Sequence, residues 1–170
     1  MINANLIGET ISSSSEDAFS LYEKSAFGEK IDNKIEYSFS EALFLIKENK
    51  MKVFYNLKEM SFDDLLKKIK RIDKSIENKF LVFYDLRKKG LIAKTALKFG
   101  ADYRVYEKGK RPEDGHSKWL LFIVKENSVI DWKDFAAKNR VAHSTNKKLL
   151  VALIDEEKGV SYYEIDWIRL

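Results

Sequence analysis

Apolar and polar positions change rhythm twice along this chain. Ser38-Phe39-Ser40-Glu41 has capping-box spacing, a hydroxyl followed three residues later by a carboxylate. Ala42, Leu43, Leu45 and Ile46 then predict a short amphipathic helix ending near Lys50. Met51 to Tyr55 reads as a strand. Ser61 to Asp64 repeats the capping signal, and Leu65, Leu66, Ile69, Ile72 and Ile76 recur at helical spacing, which predicts one strongly charged helix from Ser61 to Asn78. A further apolar run, Phe80 to Leu86, stops at Gly90 behind Arg87-Lys88-Lys89, and basic residues before a glycine signal a helix C-terminus. Residues 1–37 are different. Short apolar segments alternate with polar ones, Ser12 to Ser15 reads as a loop, and Gly28 and Asp32-Asn33 mark turns, so strands and turns are expected there.

From Leu91 onward the pattern favours strands: Leu91 to Leu97, Tyr103 to Tyr106, Trp119 to Lys125, Leu149 to Asp155 and Val160 to Ile168. Glu156-Glu157-Lys158-Gly159 reads as a hairpin turn between the last two. Trp132 to Lys138 is the one clear helix among them. The expected fold class is α+β. A small N-terminal α+β domain over residues 1–78 precedes a C-terminal domain over residues 79–170, a mixed sheet flanked by helices.

Composition narrows the field. With 170 residues, 45% hydrophobic and 34% charged, the chain has enough apolar surface for a core and is expected to fold. No apolar run approaches the roughly 20 residues that span a bilayer. The first residues lack the basic start and apolar core of a signal peptide, so a cytoplasmic location is expected. The absence of cysteine excludes disulfides, thiolate catalysis and cysteine-based zinc sites. Only His116 and His143 are available as imidazole ligands, so neither a metal nor another cofactor is expected. The net charge of +4 permits nucleic-acid binding without establishing it.

One stretch stands out as a carrier of chemistry. His116 sits in the polar segment Lys108 to Lys118, with Pro112 and Gly115, which must be a loop. Tyr106 and Glu107 precede it, and Lys147-Lys148 follow the second histidine, His143. Each residue taken singly has an ordinary surface or packing explanation. Nothing makes a nucleotide loop, a Ser-His-Asp arrangement or a metal-spaced carboxylate cluster. The residues alone do not name a reaction.

Longer stretches do. Tyr84-Asp85-Leu86-Arg87-Lys88-Lys89-Gly90, followed by Lys98-Phe99-Gly100-Ala101-Asp102-Tyr103-Arg104-Val105-Tyr106, resembles the tRNA-splicing endonucleases of archaea, with their DLR-x-x-G helix end and KFGADF-x-x-Y-like strand. His116-Ser117 falls at the family's distance after Tyr106. Arg140-Val141-Ala142-His143-Ser144 with Lys147-Lys148-Leu149-Leu150 is similar to the R-x-AHS-x-x-KKL segment, and Val160-Ser161-Tyr162-Tyr163-Glu164-Ile165 to the closing strand. The resemblance runs continuously from about residue 80 to 170. It is weaker before that, at Leu21-Tyr22, Phe27-Gly28 and Ser40 to Leu45.

The resemblance implies an N-terminal accessory domain, a C-terminal nuclease domain, and a catalytic trio on Tyr106, His116 and Lys147. The first lysine of the Lys147-Lys148 pair is the matching position. It implies metal-independent cleavage of precursor tRNA at bulge–helix–bulge sites, with attack by the substrate's 2′-hydroxyl, leaving 2′,3′-cyclic phosphate and 5′-hydroxyl ends. Histidine suits the general acid, having an ordinary pKa near 6.5. Lysine suits the developing phosphorane charge. Tyrosine as base needs a neighbouring cation, since its ordinary pKa is about 10. Arg140 and Tyr162 match the pair that grips a flipped-out base, while His143 is expected to hold the loop that carries Lys147. Two cleavage sites per substrate imply a tetramer, made of four copies or of two catalytic and two paralogous chains. Pairing of strands in Val160 to Leu170 and the loop Lys125 to Asp134 are the expected joints. Two alternatives stand beside this reading: a non-catalytic structural subunit of the same assembly, and a DNA-binding or DNA-cleaving protein of related fold. The second normally needs carboxylates converging on Mg²⁺, and no D-then-E-x-K pattern is present.

Overall fold

The capping signal at Ser38 is realised in full. Its hydroxyl accepts from the Glu41 N–H, and the Glu41 carboxylate accepts from the Ser38 N–H, opening helix α2 (Phe39–Lys47). Glu41 is buried, and its other oxygen accepts from the Gly28 N–H at 2.9 Å. One carboxylate therefore ties a helix start to a turn. Only glycine fits that turn: Gly28 has φ +79°, and a Cβ there would lie 2.3 Å from Ile35.

The computed structural model describes residues Met1 to Leu170, which divide into two units, Met1–Phe80 and Leu81–Leu170. The fold is α+β. The first unit holds a mixed six-stranded sheet in the order β3-β4-β2-β1-β5-β6. Its strands are β1 (Ile2–Ile7), β2 (Thr10–Ser13), β3 (Glu29–Ile31), β4 (Lys34–Tyr37), β5 (Met51–Tyr55) and β6 (Lys58–Met60). Only the β1–β5 pairing is parallel. Alternation along β1 buries Ile2, Ala4 and Leu6 and exposes Asn3, Asn5 and Ile7.

The structure corrects two expectations in this unit. Residues 1–37 are not all strands and turns: Glu16–Ser25 is a helix, α1, with Ser15 as its N-cap. Ser15 accepts from the Ala18 N–H, and Glu16 and Asp17 occupy the first turn, where carboxylates suit the helix dipole. The serine run is split between strand β2 and this cap. Ser13 is buried, and its hydroxyl donates to the Asn3 carbonyl at 2.7 Å. The helix expected from Ser61 to Asn78 is likewise two. Helix α3 (Phe62–Lys70) ends at Arg71, and helix α4 (Ile76–Lys88) begins after a break held by Asp73, which accepts from Ser75 and Lys79. An aspartate there offers the backbone an alternative to the helical ladder.

The second unit holds the end of α4, strands β7 (Ile92–Ala96), β8 (Ala101–Tyr106), β9 (Trp119–Lys125), β10 (Lys148–Ile154) and β11 (Val160–Ile165), and helix α5 (Trp132–Ser144). The sheet order is β11-β10-β9-β8-β7, with β9 and β10 parallel and the other pairs antiparallel. Gly90, at φ +80°, follows α4 as the basic-then-glycine signal predicts. Helix α5 is longer than its sequence pattern, so Arg140 to Ser144 lie on it and His143 belongs to its last turn. Leu120, Phe122, Leu149 and Ala142 pack between sheet and helix as a core. No helix is long and apolar enough to cross a membrane.

Candidate active site

The sheet's connectivity brings three chain segments to one end of its inner strands. Strand β9 runs antiparallel to β8 and parallel to β10. The end of β8, the start of β9 and the start of β10 therefore coincide. Lys118 is the joint. Its N–H donates to the Val105 carbonyl at 3.0 Å, and its carbonyl accepts from the Lys148 N–H at 2.9 Å. Tyr106 follows Val105, His116 lies two residues before Lys118, and Lys147 precedes Lys148. The backbone of one residue thus ties together the chain segments that carry all three.

Their side chains line a single cavity of about 310 Å³ with Phe99, Arg104, Pro112, Glu113, Gly115 and Ser117. Tyr106, the last residue of β8, is 3% exposed, whereas His116 is open to solvent. The loop bearing His116 is clamped at its base, where Lys118 Nζ lies 2.6 Å from Glu107. Within it Pro112–Asp114 forms a short 3₁₀ turn. Gly115 has φ +152°, a conformation that favours glycine, directly before His116.

Lys147 is presented by the end of α5. Asn146 adopts the left-handed conformation (φ +58°), and the Lys147 N–H donates to the Ala142 carbonyl at 2.8 Å. Lys147 Nζ donates to the Thr145 carbonyl at 3.1 Å and stands over the Phe99 ring. Burial, and then the nearby Arg104 charge, hold its pKa below the ordinary lysine value. Lys148 points elsewhere, pairing with Glu164 at 2.9 Å and Asp166 at 3.4 Å. Those partners raise its pKa, Glu164 contributing most.

The other sequence-derived residues lie outside this cavity's lining. Arg140 is exposed on α5. Tyr162, on β11, is half-buried and donates its hydroxyl to Asp85 at 2.8 Å, while Lys89 stands 5.6 Å over its ring. Burial, followed by the Asp85 bond, pushes its pKa well above the usual tyrosine value. His143 stacks edge-on against Trp167 with centroids 4.5 Å apart. Its carbonyl accepts from the Asn146 N–H in the turn that precedes Lys147. Sequence reasoning passed over Arg104, although strand alternation sets it two residues before Tyr106 on the same face. It also passed over Ser117, whose buried hydroxyl has no hydrogen-bond partner.

A larger cavity of about 540 Å³ lies in the first unit, lined by asparagine and serine side chains with Asp32 and Lys34. It brings together no imidazole or phenol. The acid–base groups are collected in the smaller one.

Residues 2–66 match the model of the tRNA intron endonuclease N-terminal domain, and residues 76–162 that of the tRNA intron endonuclease catalytic C-terminal domain. The chain is similar to a tRNA-splicing endonuclease of Thermococcus onnurineus, 39% identical over 169 residues, which covers 99% of this chain and 97% of the relative. It is 39% identical to one of Pyrococcus horikoshii (96% and 95% covered) and 38% identical to one of Methanothermobacter thermautotrophicus (88% and 86% covered). Over nearly its whole length, and with both domains in order, the chain belongs to the tRNA intron endonuclease family, a family of RNA-cleaving enzymes of tRNA splicing.

Proposed function

We propose that this chain excises introns from precursor tRNA at bulge–helix–bulge sites, using the substrate's 2′-hydroxyl as nucleophile. The observation that carries the reading is the gathering of Tyr106, His116 and Lys147 around one cavity of the unit matched as catalytic. Tyr106 takes the 2′-proton, His116 delivers a proton to the departing 5′-oxygen, and Lys147 faces the charge that gathers on the non-bridging oxygens. The 2′-oxygen–phosphorus bond forms as the phosphorus–5′-oxygen bond breaks, so the products are a 2′,3′-cyclic phosphate and a 5′-hydroxyl. The ion pairs of Lys148 with Glu164 and Asp166 favour Lys147 as the reacting lysine.

Arg140 and Tyr162 grip the RNA. An exposed guanidinium stacks on an unpaired base. Tyr162, with its hydroxyl held by Asp85, presents a fixed ring. The enzyme acts in the cytoplasm as a tetramer, either of four copies or with a paralogous structural chain. Strand β11 is an open sheet edge, and in the segment Lys125 to Asp134, which carries Glu126, Asp131 and Asp134, Val129 and Trp132 are 98% and 78% exposed, which suits both as contact surfaces.

Cleavage of a bulge–helix–bulge RNA in excess EDTA tests the mechanism. Activity is expected to persist, and His116→Ala to abolish it with RNA binding retained. Loss of activity on chelation would overturn the mechanism. A purified tetramer that cuts unaided supports the four-copy form; an inactive monomer or dimer points to the paralogous chain.

A further inference from the structure

Arg104 stands in the catalytic cavity with Lys147, close enough for its charge to lower the lysine pKa. Its place follows from the ladder: Lys94 pairs with Arg104 and Ile92 with Tyr106, so Arg104 and Tyr106 share a face of β8. Two cations held together in a half-buried cavity repel each other, and an anion between them reverses that repulsion. Ser117 lines the same cavity, but its hydroxyl is sealed from solvent without a hydrogen-bond partner and does not face the ligand space.

We infer that Arg104 is a further catalytic residue, its guanidinium donating to a non-bridging oxygen of the scissile phosphate beside Lys147. The inference rests on the reading of Tyr106, His116 and Lys147 as the reacting groups. The chemistry divides between the two cations. During attack the phosphate monoanion gains negative charge, reaching the phosphorane, and returns to a monoanionic cyclic phosphate when the 5′-oxygen leaves with the proton of His116. Arginine stays charged throughout the working pH range and offers a planar, two-point grip on phosphate. Lysine is a single point of charge, and here its proton is held less firmly than usual.

The test is single-turnover cleavage of a bulge–helix–bulge RNA by the full chain and its Arg104→Gln, Arg104→Lys and His116→Ala variants, with melting temperatures taken alongside. Each substrate is prepared with a normal scissile phosphate and with each phosphorothioate diastereomer at that position. Arg104→Gln is expected to lose about 10²-fold at saturating RNA, and Arg104→Lys to recover part of it. The diastereomer that slows the wild type most is expected to slow Arg104→Gln much less, because the contact it disturbs is already gone. An Arg104→Gln rate within about twofold of wild type, or an unchanged thio effect, overturns the inference. Should Arg104→Gln fail to fold, Arg104→Lys carries the same comparison: a reduced thio effect supports the contact, an unchanged one refutes it. His116→Ala separates the two levels. If it still cleaves, the reading of the site fails; if it is inactive while Arg104→Gln cuts normally, only the role of Arg104 fails.

Discussion

Replacing Lys147 and Lys148 one at a time is the sharpest test of how the chain presents its lysines. The two are adjacent, yet their side chains meet different surroundings. Lys147 lines the cavity with Tyr106 and His116, and Lys148 pairs with Glu164 and Asp166. A unit charge 4 Å from a developing negative charge contributes about 4 kcal/mol at an effective dielectric of about 20, appropriate to a half-buried site. That corresponds to about 10³-fold in rate at about 1.4 kcal/mol per tenfold. Part of the attraction already acts on the ground-state phosphate and does not speed the reaction. Lys147→Met is therefore expected to lower the single-turnover rate about 10²- to 10³-fold, with little change in RNA affinity. Lys148→Met loses an exposed ion pair, so its rate should stay within about twofold of wild type. The assay is cleavage of a bulge–helix–bulge RNA under saturating enzyme, with affinity measured separately by filter binding. A Lys148→Met variant as impaired as Lys147→Met would refute the reasoning, because the exit turn of α5 would then not be selecting one lysine.

Four further outcomes follow from the structure. Removing the Arg104 charge relieves its repulsion of Lys147, so the alkaline limb of the pH–rate profile that reports Lys147 deprotonation should move to higher pH in Arg104→Gln. The same depressed pKa means that Lys147 binds its proton more in the unfolded chain than in the folded one between the folded and ordinary lysine values, so wild-type stability relative to Lys147→Met should rise with pH across that window; a difference in melting temperature that falls there would contradict the assignment. Tyr162→Phe keeps the ring but leaves Asp85 without its hydroxyl donor, costing about 1 kcal/mol in chemical denaturation and leaving RNA affinity near wild type, whereas Tyr162→Ala should weaken binding. Glu41→Ala strips acceptors from the Gly28 and Ser38 N–H groups and opens a hole beneath α2; calorimetry should show about 2–4 kcal/mol of lost stability, and less than about 1 would mean water replaces the carboxylate.

Much of the architecture was legible in the chain because its signals are local. Ser38 and Glu41 form their capping box within four residues, Gly90 follows α4, and the apolar runs read as strands from Tyr103 onward are strands β8 to β11. Errors arose where local signals compete. Ser12 to Ser15 is polar enough to read as loop, yet Ser13 satisfies its hydroxyl inside the fold and Ser15 caps a helix whose buried side is little more than Ala18. Helical spacing from Leu65 to Ile76 ran across the Asp73 break, since periodicity registers apolar positions and not the hydrogen bonds of one aspartate.

The candidate site divides along the same line. Sequence by itself determined which residue types were available: a lone loop histidine, a strand-end tyrosine, two adjacent lysines and no cysteine. Family resemblance assigned them roles. Only tertiary structure decided that three distant segments meet, because the meeting depends on β9 pairing antiparallel with one neighbour and parallel with the other, a long-range choice that no local pattern encodes. It also decided which lysine turns inward, through a left-handed asparagine and one backbone hydrogen bond, and it brought Arg104 and Ser117 to the same cavity.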